Sequence, residues 1–342
     1  MNIHGGFAPS AMSCSAVDSR CYRRGGGGVN DLRNRPSASP NTFGGDQVMK
    51  DFTNKVAVIT GAGSGIGRSL ALSLAEQGAQ LALSDIDTSA LADTAGRCEK
   101  VGAKAVPFEL DVAQRQAVYG HAKNVVSEFG RVNLVFNNAG VALSADVIDM
   151  DWDDFEWLVG INFWGVAHGT KAFLPHLIAS GDGHIVNVSS VFGLVGIPSQ
   201  SAYNAAKFAV RGFTEALRQE LRAARHPVGV TCVHPGGVKT NIAGHARGLP
   251  DGSDPETLSR IFHRIAFTSP ESASRAILRG VKKNKPRVLI GPDARVFDAI
   301  PRILGPRYED IMASFYRTGR YGAGRRVAER LGLPSEPWSL EH

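Results

Sequence analysis

From residue 55 onward, short runs of Val, Ile and Leu alternate with longer stretches in which apolar residues recur every three or four positions. The strand-like runs are VAVIT (56–60), LALSD (81–85), AVPFEL (105–110), VNLVFN (132–137), HIVNVS (184–189), VGVTCV (228–233) and RVLIG (287–291). Helical spacing fills the gaps, notably 65–77, 113–129, 162–179 and 201–224. Runs that are apolar throughout suit strands covered on both faces, and regular strand–helix alternation makes the sheet parallel. The pattern predicts an α/β fold, a doubly wound parallel sheet of about seven strands in one domain spanning 52–292. Such sheets bind ligands outside the carboxyl ends of their strands, so the residues that follow each run are where chemistry should lie.

The flanks differ. Residues 1–48 carry RRGGGG and RPSASP, few apolar positions and no periodicity, and are expected to be disordered. They lack the apolar segment of a secretory signal; their Arg and Ser content leaves a transit-peptide reading open, while Met49, just ahead of KDFTNKVAVIT, is the expected start of the functional chain. Beyond 292, ARVFDAIPRILGPRYEDIMASFYR keeps helical apolar spacing with several arginines, so 293–342 reads as a C-terminal helical extension and tail. Three roles fit it: capping a cleft, pairing subunits, or lying on a membrane surface through 293–318. Packing against a subunit or the core is the expectation. No apolar run reaches the ~20 residues needed to cross a bilayer.

Composition narrows the class. With 342 residues, 43% hydrophobic and 20% charged, the chain can bury a full core. A net charge of +6 raises nucleic acid as a partner, but Lys and Arg are spread along the chain without a compact basic block, and none is expected. Cys14, Cys21, Cys98 and Cys232 are too scattered for a disulfide framework, and no Cys/His cluster has zinc spacing. A reducing, cytoplasmic setting and no metal are expected.

After the first strand comes TGAGSGIG, with Gly61, Gly65 and Gly67 opening a helix. Glycines let backbone approach a pyrophosphate, and a helix N-terminus offers free N–H groups and a positive dipole end. The second strand ends in Asp85, placed either to hydrogen-bond an adenosine ribose or merely to cap the next turn. On the helix that begins near 201, Tyr203 and Lys207 stand one turn apart on one face. Spacing alone decides nothing, because Tyr119 and Lys123 have it too.

Taken together, TGAGSGIG, NNAG (137–140), Ser190, the Tyr203/Lys207 pair and PGGVKT (235–240), each after its strand, resemble the short-chain dehydrogenase/reductase family, a Rossmann-like fold. The resemblance covers about 52–292. It implies that Gly61, Ser64, Gly65, Ile66 and Gly67 wrap the pyrophosphate, that Asp85 binds the ribose, and that Asp111 and Val112 lie beside the adenine. It implies further that Asn138, Ala139 and Gly140 pass near the adenosine ribose, and that Pro235, Val238 and Thr240 hold the nicotinamide carboxamide. Asn162, Ser190, Tyr203 and Lys207 match the family's catalytic four; Ser190 is preferred to Ser189 because it lies thirteen residues before Tyr203. Ser190 and Tyr203 would touch the substrate, Tyr203 carrying its proton, with Lys207 also on the nicotinamide ribose and Asn162 kinking its helix to position a water.

A cation about 4 Å from the phenol, at an effective dielectric of ~20, is worth roughly 4 kcal/mol, enough to bring Tyr203 from a pKa of about 10 towards neutrality before desolvation pushes back. Asp85 favours NAD over NADP, since neither AGS (62–64) nor Ile86 supplies a basic partner and Arg68 should face elsewhere. The expected reaction is hydride transfer between NAD and a secondary alcohol or ketone; the apolar residues of 241–268, read as a substrate lid, suggest an apolar portion. The alternatives are an NADP-dependent carbonyl reductase and a non-catalytic dinucleotide-sensing module. Trp157, Phe163, Trp164 and Phe173, on helices that pair subunits in the family, suggest a homodimer or homotetramer.

Overall fold

The structure, a computed structural model, describes residues 49–248 and 266–321, together with 257, 259, 260, 263 and 264. The segment 1–48, part of the expected lid (249–256, 258, 261, 262 and 265) and the tail after 321 lie outside the described residues. The strands are β1 (Val56–Thr60), β2 (Gln80–Asp85), β3 (Ala105–Glu109), β4 (Leu134–Asn137), β5 (Gly183–Val188), β6 (Val228–Pro235) and β7 (Arg287–Ile290). The helices are α1 (Gly65–Ala75), α2 (Thr88–Glu99), α3 (Arg115–Phe129), α4 (Trp152–Val159), α5 (Gly165–Ser180), α6 (Ser201–Ala223), α7 (Pro270–Lys282), α8 (Pro292–Leu304) and α9 (Tyr308–Tyr321). The strands form one sheet, order β3-β2-β1-β4-β5-β6-β7, with every pair parallel. The chain steps outward from β1 to β3 and then crosses back to β4, so a crevice opens between the ends of β1 and β4.

Alternate strand residues feed two cores. Ile59, Leu83 and Phe136 pack with Leu70 and Leu74 of α1, Leu91 of α2 and Ile277 of α7. Val58, Ala82, Val135 and Ile185 pack on the other face with Val118 of α3, Phe173 of α5 and Leu217 of α6. This two-sided burial is why β1, β4, β5 and β6 are buried along their whole length. The edge strand β7 instead alternates between buried and half-buried positions, β3 is fully buried only at Ala105, and Pro107 is tolerated in β3 because an edge strand has one side without a ladder partner. The predicted helix over 162–179 starts later than its apolar spacing suggests. A π turn, Gly160–Trp164, joins α4 to α5, a local widening that often accompanies functional sites.

Phe173 corrects an expectation about subunit pairing: it is 1% exposed, inside the core rather than on a face open to a partner. It packs against His121, which is wedged edge-on between Phe108 (4.9 Å) and Phe173 (5.8 Å) and has no hydrogen-bond partner on either nitrogen among the described residues. Burial pushes the His121 pKa from 6.5 down to about 4. The unfolded chain therefore takes up a proton that the folded chain refuses. The stabilisation is complete above pH 6.5 and is lost as pH falls towards 4, by about 1.4 kcal/mol per pH unit. We expect His121→Phe to lessen the drop in urea midpoint between pH 7 and pH 5; an equal drop in variant and wild type would refute the assignment.

Candidate active site

The chain leaves β1 through Gly61, whose φ of +66° suits glycine. Gly67, in the first turn of α1, lies hard against this turn: a Cβ there would sit 2.0 Å from the Gly61 carbonyl oxygen and 2.7 Å from Asn138 Nδ2. Asn138 Nδ2 donates to the carbonyls of Thr60 (2.9 Å) and Gly61 (3.2 Å), and Thr60 Oγ1 accepts from the N–H groups of Asn138 (3.0 Å) and Ala139 (3.1 Å). The NNAG segment after β4 is thereby tied to the glycine loop after β1, across the crevice. Ser64, at the N-cap of α1, makes no side-chain capping bond, and the first turn carries no acidic residue. Those leading N–H groups and the positive dipole end fit the pyrophosphate of a dinucleotide. Gly65, at φ +51°, brings in the loop after β6, since a Cβ on it would lie 2.9 Å from Thr240 Cγ2.

Asp85, at the end of β2, accepts the Gly63 N–H on Oδ2 (2.8 Å) and the Asp87 N–H on Oδ1 (3.1 Å), so its carboxylate flanks the glycine loop. Arg68 faces α2: Nε donates to Thr94 Oγ1 (3.0 Å) and the guanidinium pairs with Asp93 (3.1 Å). Beyond β3, Asp111 is exposed and accepts the Ala113 N–H (2.9 Å), whereas Val112 is buried against Gly165. Ile66 packs on the core from the start of α1.

Ser189 and Ser190 follow β5 and diverge. Ser189 Oγ donates to the Lys207 carbonyl (2.8 Å) and only fastens α6 to the strand. Ser190 Oγ accepts the Phe192 N–H (3.1 Å) and lies close enough to the Tyr203 phenol to favour its ionised form. Lys207 is 3% exposed; its Nζ donates to the Val188 carbonyl (3.2 Å) and lies 5.6 Å from the centre of the Tyr203 ring. Asn162 sits in the π turn, where its Oδ1 accepts the Val141 N–H (2.8 Å) and its Nδ2 donates to the Val141 carbonyl (2.9 Å). It therefore bonds a neighbouring loop rather than its own helix. Gly140 passes between: a Cβ on it would lie 3.0 Å from Asn162 Oδ1 and 3.4 Å from Lys207 Nζ. Serine from the end of β5, tyrosine and lysine from α6 and asparagine from the π turn, three separate stretches, thus converge beside the glycine-loop crevice.

Residues 55–248 match the short chain dehydrogenase family. The chain belongs to the short-chain dehydrogenase/reductase family. A Mycobacterium tuberculosis protein named "Putative oxidoreductase SadH" is 55% identical over 78% of this chain and 96% of its own length. Estradiol 17-beta-dehydrogenase 11 of Mus musculus is 32% identical over 77% of this chain and 84% of its own. Among solved structures, a Burkholderia phymatum short-chain dehydrogenase/reductase in complex with NAD superposes with a TM-score of 0.67, is 32% identical and covers 85% of this chain and all of the other. An alcohol dehydrogenase of Thermococcus sibiricus complexed with 5-hydroxy-NADP gives 0.59 at 27% identity, covering 69% of this chain and 95% of the other. The protein is an oxidoreductase acting on CH–OH/C=O groups with a nicotinamide cofactor, which sets aside the sensing module.

In this dehydrogenase the electrostatics of the pair depart from the sequence expectation. Burial holds the Tyr203 phenol above its ordinary value, with nearby Ser190 acting the other way, and pushes Lys207 down to about 8. Desolvation prevails because Lys207 is itself buried and its ammonium is aimed at a backbone carbonyl rather than at the phenolic oxygen. Several polar groups that spacing did not reveal shape the site. Asn204 accepts the Ile197 N–H (3.0 Å) and donates to the carbonyls of Phe192 (2.6 Å) and Val195 (2.8 Å), fixing the loop that carries Ser190. His234 Nδ1 donates to the Ser190 carbonyl (2.9 Å), and burial keeps the ring neutral with its pKa lowered to about 4. Asn204 is three residues before Lys207 on a strongly amphipathic helix, so a polar residue on its buried face was the available signal.

The C-terminal helices reach the same region of the dehydrogenase. Phe297 of α8 meets Phe192 (6.3 Å), which in turn meets Tyr203 (6.1 Å). Tyr308 Oη accepts the Gly196 N–H (3.2 Å), and Tyr316 Oη of α9 donates to Asp146 in the loop after β4 (2.8 Å). At the start of the expected lid, Arg247 bridges to Leu143, stacks over Trp157 (4.0 Å) and pairs with Asp154 (3.1 Å). No helix among the described residues is long and apolar enough to cross a membrane.

Proposed function

We propose that the protein transfers hydride between NAD and a secondary alcohol or its ketone whose remainder is apolar. The observation that carries this reading is the convergence of Ser190, Tyr203 and buried Lys207, with Gly140 between Asn162 and the lysine, at the edge of the glycine-loop crevice. When bound, the nicotinamide accepts or supplies the hydride, leaving orientation and proton movement to the protein. Gly61, Ser64, Gly65, Ile66 and Gly67 would hold the pyrophosphate, Asp85 the ribose hydroxyls, Asp111 and Val112 the adenine side, and Asn138 to Gly140 the floor between them. Pro235, Val238 and Thr240 would receive the carboxamide end. Ser190 donates to the substrate oxygen, Tyr203 takes or returns the proton on its Oη, and Lys207 would hold the nicotinamide ribose. Asn162 keeps the Val141 loop and the π turn in register with the lysine.

Phe192 and Phe297, next to Tyr203, support an apolar substrate body, and the sterol named in the mouse relative is of that kind. They also support α8 and α9 as a roof over the substrate end rather than a detached tail. Trp152 and Trp164, exposed on α4 and the π turn, support pairing of subunits along that side. For the cofactor, Asp85 would repel the extra phosphate of NADP, and Arg68, engaged with α2, offers it no partner. An alcohol and ketone panel that includes sterols, run with each cofactor, tests the reading. With the best substrate, kcat/KM for NAD should exceed that for NADP by about a hundredfold, about 2.7 kcal/mol. Asp85→Ser should shrink the ratio at least tenfold. A wild-type preference for NADP would favour the carbonyl-reductase alternative.

A further inference from the structure

The loop Pro235–Thr240 is held from three directions. Gly236 N–H continues the ladder to the Ile290 carbonyl (2.9 Å), and Thr268 pairs with it twice, through its N–H to the Gly237 carbonyl (3.2 Å) and its carbonyl from Lys239 N–H (2.9 Å). The third hold comes from Asp293, in the first turn of α8, whose Oδ2 accepts the Gly237 N–H at 2.6 Å. That carboxylate is inserted between two glycine backbones. A Cβ on Gly236 would lie 2.1 Å from Oδ2, and one on Gly291 would lie 2.3 Å from Oδ1. Oδ1 is enclosed and has no hydrogen-bond partner among the described residues.

An enclosed carboxylate oxygen without a donor is unfavourable, so stability by itself does not account for an aspartate here. Two features do suit an aspartate: its place in the first turn of a helix, and a short charge-assisted bond to one backbone N–H. The bonded group is the middle of the segment that carries Pro235, Val238 and Thr240. We infer that Asp293 is a positioning residue that fixes the Gly237 peptide and so presets the loop to receive the nicotinamide end of the cofactor. The inference rests on the proposed role of that loop. It also gives the C-terminal extension a task at the reaction centre, because Asp293 lies outside the segment that matches the family.

Calorimetric titration of the full-length protein with NAD and with ADP-ribose, which lacks the nicotinamide, separates this role from a merely structural one. Wild type should bind both. Asp293→Ala should weaken NAD about tenfold, equal to about 1.4 kcal/mol, and leave ADP-ribose within twofold. Asp293→Asn keeps an oxygen for the Gly237 N–H and should lose only about threefold for NAD, scaling with the lost charge; it is the variant to use if the alanine does not fold. Equal weakening of both ligands, or none for NAD, in a folded variant overturns the role of Asp293. Failure of wild type to bind NAD overturns the cofactor-site reading, and this inference with it.

Discussion

Tyr203→Phe should abolish turnover and leave a folded protein that still binds NAD. The substitution deletes one oxygen. The ring keeps its edge contact with Phe192 and its packing against the small apolar cluster of Leu143, Leu158, Ala202 and Ala206. What disappears is the hydroxyl that would carry the substrate proton. Positioned proton carriers contribute about 10² to 10⁴ in rate, so kcat should fall by about 10³ or more. Reduced-nicotinamide absorbance reads the rate, and titration should find the Kd for NAD within threefold of wild type. The pH profile carries the sign of the mechanism. Burial holds Tyr203 above its ordinary value, so the deprotonated fraction needed for alcohol oxidation grows about tenfold with each pH unit below that value. Wild-type oxidation should therefore climb steadily into the alkaline range, while ketone reduction, which uses the protonated phenol, should hold level until the pH approaches that raised value. A variant with kcat within tenfold of wild type would remove Tyr203 from the chemistry.

The comparison of Tyr203/Lys207 with Tyr119/Lys123 shows how much of this was legible. Both pairs share a spacing, but Lys207 is buried beneath the strand ends whereas Lys123 is exposed and Tyr119 is 38% exposed on α3. Order along the chain separated them, because strand ends in a parallel sheet all open on one side, and a local run of Val and Ile is enough to locate a strand end. Packing quantities were not legible in that way. The lowered pKa of Lys207 depends on how completely α6 is covered, and the expected charge effect on the phenol was reversed by desolvation that no spacing reports. Phe173 looked like interface material because α5 is apolar on more than one side, and only the tertiary contact with His121 places it in the core. Asn204 and Asp293 act on backbone seven to 56 residues away, through loops whose paths the sequence does not encode locally.

Gly67→Ala tests the opposite end of the crevice, where the constraint is space rather than proton chemistry. Its added methyl would stand 2.0 Å from the Gly61 carbonyl oxygen, where ordinary contact begins near 3.4 Å. Neither neighbour can swing clear: Gly61 is backbone, and Asn138 is tied by two hydrogen bonds to the carbonyls of Thr60 and Gly61. Helix α1 must therefore move away from the turn by more than an ångström, taking with it the N–H groups offered to the pyrophosphate and loosening the tie between β1 and β4. Overpacking of this kind costs about 1 to 3 kcal/mol of stability. The effect on binding should be larger, because the phosphate contacts depend on close backbone approach, and we expect the Kd for NAD to rise about a hundredfold, or about 2.7 kcal/mol. Gly120→Ala provides the control. Gly120 lies within α3 with nothing near its missing Cβ, so the same substitution there should raise stability by up to about 1 kcal/mol through helix propensity and leave NAD binding unchanged. Wild-type affinity in Gly67→Ala would mean that the close approach of α1 to the glycine turn is not what admits the cofactor.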